Sequence, residues 1–276
     1  MKSRLVKFSY FLLLLLPFAF SNCRKDNSTT PIIPPAPTIN LKFIAVANNA
    51  PLVFNTTITN VNAQRYLINY LAFYVGNIRL IGTDNVEHSI KDIVLVNFDD
   101  SIAKDDPTRD PSVVGTSFSL TGIAGNFKAI KMGIGVPAAL EPAQSGKTDV
   151  DYPIGHPLGF NRGMYWDPWS IYRFAIITGR VDTNKVKPST PTWPFSYHTG
   201  FDSLYREVSF TDNFSISNGQ SHTITIQLDV NKIFYNASYS TDLFSENQTH
   251  MSQGNIKEGL LGVKITNSLV LALSKL

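Results

Sequence analysis

The side chains of this chain that could do chemistry crowd into one stretch. Residues 163–174 read Gly163-Met164-Tyr165-Trp166-Asp167-Pro168-Trp169-Ser170-Ile171-Tyr172-Arg173-Phe174 and hold two of the three tryptophans. Indoles and phenols are oxidisable, and their faces stack on sugars or other apolar ligands. The segment therefore reads as a ligand or redox platform. It reads more readily as a strand that carries a bulky plug into a core, because aromatics dominate core energetics. Asp167-Pro168 puts a turn between the two indoles, since Pro fixes its own φ and restricts the residue before it. The five histidines, His88, His156, His198, His222 and His250, are scattered, with no pair at i,i+2 or i,i+4. No local metal motif results, although a sheet can bring distant histidines together. Gly-x-Ser-x-Gly, a phosphate-binding glycine loop and His-Glu-x-x-His are all missing from the sequence.

Cysteine chemistry is set by the N-terminus. Lys2, Arg4 and Lys7 precede an apolar run over residues 8–20, then Phe20-Ser21-Asn22-Cys23. Charge, a short apolar stretch and small residues form the pattern of a secretory signal, and the run is shorter than the ~20 residues a spanning helix needs. The end of the run resembles the cleavage and lipidation site of bacterial lipoproteins. The expectation is a signal peptide over residues 1–22, lipid on Cys23, a tether over residues 23–38 and one domain over residues 39–276. An ordinary secretory signal with an incidental Cys is the alternative. Cys23 is the only cysteine, so the mature domain has neither a disulfide nor a thiolate ligand. The tether is rich in Pro, Ser and Thr and cannot build a core. Its opening Arg24-Lys25-Asp26 resembles surface-export signals, which points to the outer membrane, periplasmic or surface-facing.

What must position the aromatic segment is a β framework. Hydrophobic residues make up 43% and charged residues 16%, the balance of a packed globular domain. No basic helix or Lys/Arg cluster among aromatics suggests nucleic acid. Period-two alternation or short apolar runs mark strands at residues 41–46, 67–80, 92–98, 117–120, 127–134, 172–181, 195–201, 207–210 and 222–230. Strands and helices do not alternate, which speaks against a parallel α/β sheet, and an all-β, antiparallel β-sandwich with long loops is expected. The long connections are residues 99–115, read as a polar exposed loop, and 137–162; loops of that length are often functional. From Gly254, the spacing of Ile256, Leu260, Leu261, Val263 and Ile265 favours a short C-terminal helix over a broken strand.

The order of the motifs resembles the MbnP-like copper-binding family. Gly163-Met164-Tyr165-Trp166 with Tyr172-Arg173-Phe174 resembles its signature. Leu41-Lys42-Phe43, Pro51-Leu52-Val53-Phe54, the strand over 66–80, Lys131-Met132-Gly133-Ile134-Gly135-Val136, Phe195-Ser196-Tyr197-His198-Thr199-Gly200 and the run Leu228-Asp229-Val230-Asn231-Lys232-Ile233-Phe234 follow in family order, with Asn267 matching a late Asn. The match covers roughly residues 40–270. Three positions depart from the pattern. Trp169 stands one residue later than the family's second Trp, Thr178-Gly179 replaces Glu-Gly, and Glu141-Pro142 stands where an Asn is usual.

The resemblance implies a β-sandwich, export, and partnership with an MbnH-type diheme cytochrome peroxidase that oxidises a tryptophan to kynurenine. Trp166 matches that tryptophan. His198 matches the family histidine and is the first candidate metal ligand, with His250 the second. The chain would then be a copper carrier and a substrate of the peroxidase, not an enzyme. Copper binding would weaken as pH falls through about 6, where imidazole protonates. Two other readings stay open. One is a surface module whose Tyr165, Trp166 and Trp169 stack on a ligand. The other is a structural or partner-docking sandwich, favoured if His198 lies more than about 8 Å from any other ligand, too far to share one ion.

Overall fold

Fifteen strands, numbered in chain order, build two packed sheets among the described residues. The computed structural model describes residues 34–98, 114–160, 163–184, 189–250 and 256–276, all within one unit, Pro34–Leu276. The expected signal peptide, Cys23 and the tether up to residue 33 lie outside the described residues. The smaller sheet runs β15 (Leu273–Lys275), β13 (Ser221–Asp229), β1 (Thr38–Ala47) and β2 (Ala50–Pro51), with β7 (Ser117–Thr121) also on β1. The larger sheet runs β12 (Arg206–Ile216), β8 (Gly125–Ile134), β4 (Arg65–Gly82), β10 (Ile171–Val181), β11 (Trp193–Gly200) and β14 (Gln248–His250). Short β3 (Ile58–Thr59) and β5 (Glu87–Asn97) also pair with β4, β6 (Val114–Gly115) with β5, and β9 (Tyr165–Trp166) with β10.

The sandwich is as expected, but its sheets are mixed. β1 pairs parallel with β13, β5 with β6 and β11 with β14. Hairpins enforce antiparallel pairing; these three pairs join strands with no tight turn between them, so the direction is free. The early strand expected over residues 51–54 shrinks to Ala50–Pro51. Of the loop expected over residues 99–115, the last two residues are a buried strand, and the rest lies outside the described residues.

The sheets meet through one apolar interior: Phe43 of the smaller sheet packs edge-on against Phe73 of the larger, ring centroids 6.1 Å apart. The centre of β4 is apolar without interruption, and its residues 71–76 are all buried. A strand reads this way only when both faces are covered. The inner face meets the other sheet. The outer face carries a second apolar cluster, with Tyr74, Tyr172, Phe174 and Ile176 beneath Leu158 and Met164.

Leu158 and Met164 belong to the long connection between β8 and β10, which is therefore a cover and not a free loop. It is built of a helical turn α1 (Pro142–Ser145) and single 3-10 turns. Two buried tyrosines fasten it. The Tyr74 hydroxyl donates to the Pro157 carbonyl at 2.9 Å and the Tyr172 hydroxyl to the Leu158 carbonyl at 3.0 Å. Leu158 and Met164 are fully buried, each worth about 1.5–3 kcal/mol in holding the cover down.

The C-terminal helix is present and long. After the short α2 (Val230–Phe234), helix α3 spans Ile256–Leu271, 16 residues. Leu261, Ile265 and Leu269 recur every four residues and are its buried stripe, the helical period that the sequence shows. Its first turn also grips β14. The Thr249 hydroxyl donates to the Glu258 carbonyl at 2.8 Å, and the His250 amide donates to Glu258 Oε2 at 3.1 Å.

Candidate functional site

The site lies on the outer face of the larger sheet, where β9, β10, β11 and β14 stand side by side. Tyr197 turns inward and stacks on Phe195. Side chains alternate along a strand, so His198 turns outward. In the parallel pairing of β11 with β14, His198 is in register with His250, and register partners share a face. The two rings stand 5.1 Å apart between centroids, inclined at 74°. Ser196 Oγ lies 3.2 Å from His198 Nε2. Burial first, then the positive charge of Arg173 and the neighbouring His250, push His198 down to about 4. Its imidazole is therefore neutral, and able to donate a lone pair, at any pH near neutrality.

β9 and β10 form a hairpin, with Trp166 opposite Ile171 and Tyr165 opposite Tyr172. Asp167–Trp169 is a 3-10 turn with Pro168 at its start, and Ser170 closes it at φ 50°. The turn expected from Asp167-Pro168 is thus present. Gly163 enters the hairpin at φ 66°, a conformation that glycine adopts without strain. Met164 is core, Tyr165 packs 5.1 Å from Tyr172, and the two indoles differ in exposure. Trp169 is 44% exposed and stacks on Phe201, centroids 6.1 Å apart. Trp166 is half-buried, 6.4 Å from Trp169, with its indole N–H buried and without a partner among the described residues.

Arg173 covers Trp166, its guanidinium carbon 4.4 Å from the ring centroid. Its Nη1 donates to the Gly163 carbonyl at 2.6 Å, while its Nε is buried without a partner among the described residues. Sequence reading places Arg173 in the motif but assigns it no role. Glu141 is a second residue without an assigned role, marked in the sequence only as a departure from the family pattern. It lies in the cover itself, at the start of α1, buried at 4% exposure, and desolvation raises its carboxyl to about 8 against the pull of the Tyr172 amide.

The remaining histidines have structural roles. His156 stacks on Tyr152 and accepts the Leu158 amide at 3.1 Å. His222 stacks on Phe214 and bonds Asp212 at 2.9 Å, and His88 packs edge-on against Phe127. Asn267 receives Arg206 at 2.8 Å and lies outside this cluster. Among the described residues no three His, Cys, Asp or Glu side chains converge as a metal cluster. The site offers two imidazoles, a donor type suited to copper, and leaves further coordination positions to other groups.

The family model for MbnP matches residues 36–252, most of the sandwich. The chain belongs to the MbnP family. The MbnP match covers β1 to β14, so both site histidines and the Trp166 hairpin fall inside it. Among solved structures, MbnP from Methylosinus trichosporium is similar at 14% identity and a TM-score of 0.47, over 74% of this chain and 80% of that one. No match was found among curated proteins.

Proposed function

We propose that this MbnP-family protein handles copper in the bacterial envelope, held there by lipid on Cys23, and that Trp166 is the residue a partner diheme peroxidase oxidises. The observation that carries the reading is the His198–His250 pair. Rings 5.1 Å apart lie well within the separation of about 8 Å beyond which two side chains cannot share one ion. His198 is kept neutral by burial and by Arg173, as a metal-ligating imidazole must be.

Two imidazoles fit copper in type but not in number. A kynurenine at position 166 would add a carbonyl oxygen and an aryl amine to the donors available. Forming it takes an oxidant this chain does not contain. Two molecules of hydrogen peroxide, activated at the partner's haem, would supply the two oxygen atoms that cleave the C2–C3 bond of the indole and would leave as water. Hydrolysis then releases formate. In this reading the chain is a substrate and carrier, not a catalyst. A diheme peroxidase and the outer membrane are its expected surroundings.

The test is the mass of the Trp166 peptide from protein purified from its own host, together with copper uptake by calorimetry. A kynurenine mass and stoichiometric copper support the reading; an unmodified Trp and no copper uptake would sink it. One observation favours a second reading. Trp169, 44% exposed on Phe201, presents an open indole face of the kind that stacks on a ligand ring. Saccharide binding that quenches Trp fluorescence and is lost in W169A, with no copper bound, would favour that alternative.

A further inference from the structure

A polar pocket lies away from the histidine pair, and none of its lining residues belongs to β9, β10, β11 or β14. It holds about 620 Å³ between the β1–β2 turn, the segment after α2 and the end of α3. Small-ligand sites typically span about 300–1,000 Å³. Amides held in place form its wall. Asn48 and Asn49 make the two-residue turn, at φ 51° and 64°, the left-handed pair that Asn tolerates. Asn48 Oδ1 accepts from Asn231 at 2.8 Å, and Asn48 Nδ2 donates to the Thr59 carbonyl at 3.2 Å. Asn236 Nδ2 donates to the Lys232 carbonyl at 2.9 Å and to Ser268 Oγ at 3.1 Å. Tyr235 lines the pocket with its ring 39% exposed. Of the lining side chains only Asp229 and Lys232 are charged, with Oδ2 and Nζ 3.9 Å apart. A phosphate or carboxylate placed there meets Asp229, and a cation meets Lys232, so the lining suits a neutral polar ligand.

We infer that this pocket binds a neutral saccharide, stacked on Tyr235 and hydrogen-bonded by Asn49 and Asp229. Sugar hydroxyls donate and accept at once. An Asn amide offers both kinds of group in one plane, and a carboxylate accepts two donors. Tyr235 adds an apolar face with a polar tip, against which the C–H face of a sugar ring packs. The wall is fixed before the ligand arrives, which keeps the cost of ordering low. Position supports the same reading. The chain enters the domain where the Gly219 amide donates to the Pro35 carbonyl at 2.7 Å, beside the start of β1. The pocket lies past the far end of that ten-residue strand, about 30 Å away at the rise of a β-strand. Attachment through residues before Pro34 would leave it open to a ligand.

The test screens the full chain against immobilised neutral and acidic oligosaccharides. The tightest neutral one is then titrated by calorimetry into wild type, Y235A, N49G and W169A. Neutral oligosaccharides should bind in preference to acidic ones. Y235A and N49G should each weaken binding about tenfold or more, the loss expected of a central contact. Glycine at position 49 keeps the left-handed turn, so that loss is not a loss of fold. W169A should match wild type, which separates this pocket from the open indole at Trp169. Loss of binding in W169A, or full binding in both Y235A and N49G, overturns the pocket. Preference for acidic oligosaccharides, or no binding to any, overturns it as well. None of these outcomes bears on copper at the histidine pair.

Discussion

The two faces of the larger sheet are both apolar, yet they treat polar atoms in opposite ways. On the inner face the buried Tyr66 hydroxyl donates to Asn231 at 2.6 Å, and Asn231 donates onward to Asn48 at 2.8 Å. Each polar atom in that chain has a partner. On the outer face the Trp166 indole N–H, the Arg173 Nε–H and Glu141 Oε1 are buried with none among the described residues. An orphaned polar atom costs about 1–3 kcal/mol. Three of these unpartnered atoms thus lie on the hairpin, its neighbouring strand and the cover of the outer face, whereas the Tyr66–Asn231–Asn48 chain of the interior is satisfied. The inner face is built for stability, and the outer face gives some up for its chemistry.

The comparison can be broken by substitution, and the inner face should respond most. Phe43→Ala opens a cavity between the sheets, where Phe43 meets Phe73 and Phe118. It should cost about 3–5 kcal/mol in denaturant unfolding, and a loss under 1 kcal/mol would mean that the sheets do not share one core. Next comes Glu141. Its carboxyl, raised to about 8 in the folded chain, binds a proton that the unfolded chain releases near pH 4.5. Its contribution is thus present at low pH and is lost as pH rises from about 4.5 to 8, on the order of a few kcal/mol. Unfolding of wild type and E141Q across that window checks this. The wild-type curve should fall relative to E141Q as pH rises, and parallel curves would remove Glu141 from the buried set.

Smaller effects separate the two kinds of polar atom. Tyr66→Phe strands Asn231 Oδ1 in the interior and should destabilise by about 1–3 kcal/mol. Trp166→Phe removes an N–H that has no partner, so it should stay within about 1 kcal/mol of wild type, the lost contact area being offset by the relief. A larger loss from Trp166→Phe than from Tyr66→Phe would invert the comparison.

Much of this framework is legible in sequence, and the reason is periodicity. The strands over residues 66–80, 127–134 and 172–181 announce themselves by apolar runs, whereas the spacing at the C-terminus only favours α3 over a broken strand, and its stripe of four is plain in the structure. The uninterrupted apolar centre of β4 even carries the message that both faces are covered, though nothing local says by what. The site is legible in its parts and not in its assembly. Trp166, His198 and His250 can each be singled out, but their arrangement depends on β14, a Gln-Thr-His strand of three residues with no hydrophobic pattern. Its parallel pairing with β11 is a tertiary event, fixed by α3 through Glu258. Arg173 is similarly opaque: only the packed hairpin shows that its charge lies on an indole and faces a histidine.

The contrast between His198 and His222 offers the most direct test. Both are strand histidines, but His222 is bonded to Asp212 and stacked on Phe214, whereas His198 faces His250. Cu(I) affinity at neutral pH should be measured for wild type, H198A, H250A and H222A in protein whose Trp166 state has been fixed by mass. The account predicts that H198A and H250A each lose about 100-fold or more in affinity, beyond the 10–100-fold typical of residues that only support a ligand, and that H222A matches wild type. Undiminished affinity in H198A and H250A would contradict it.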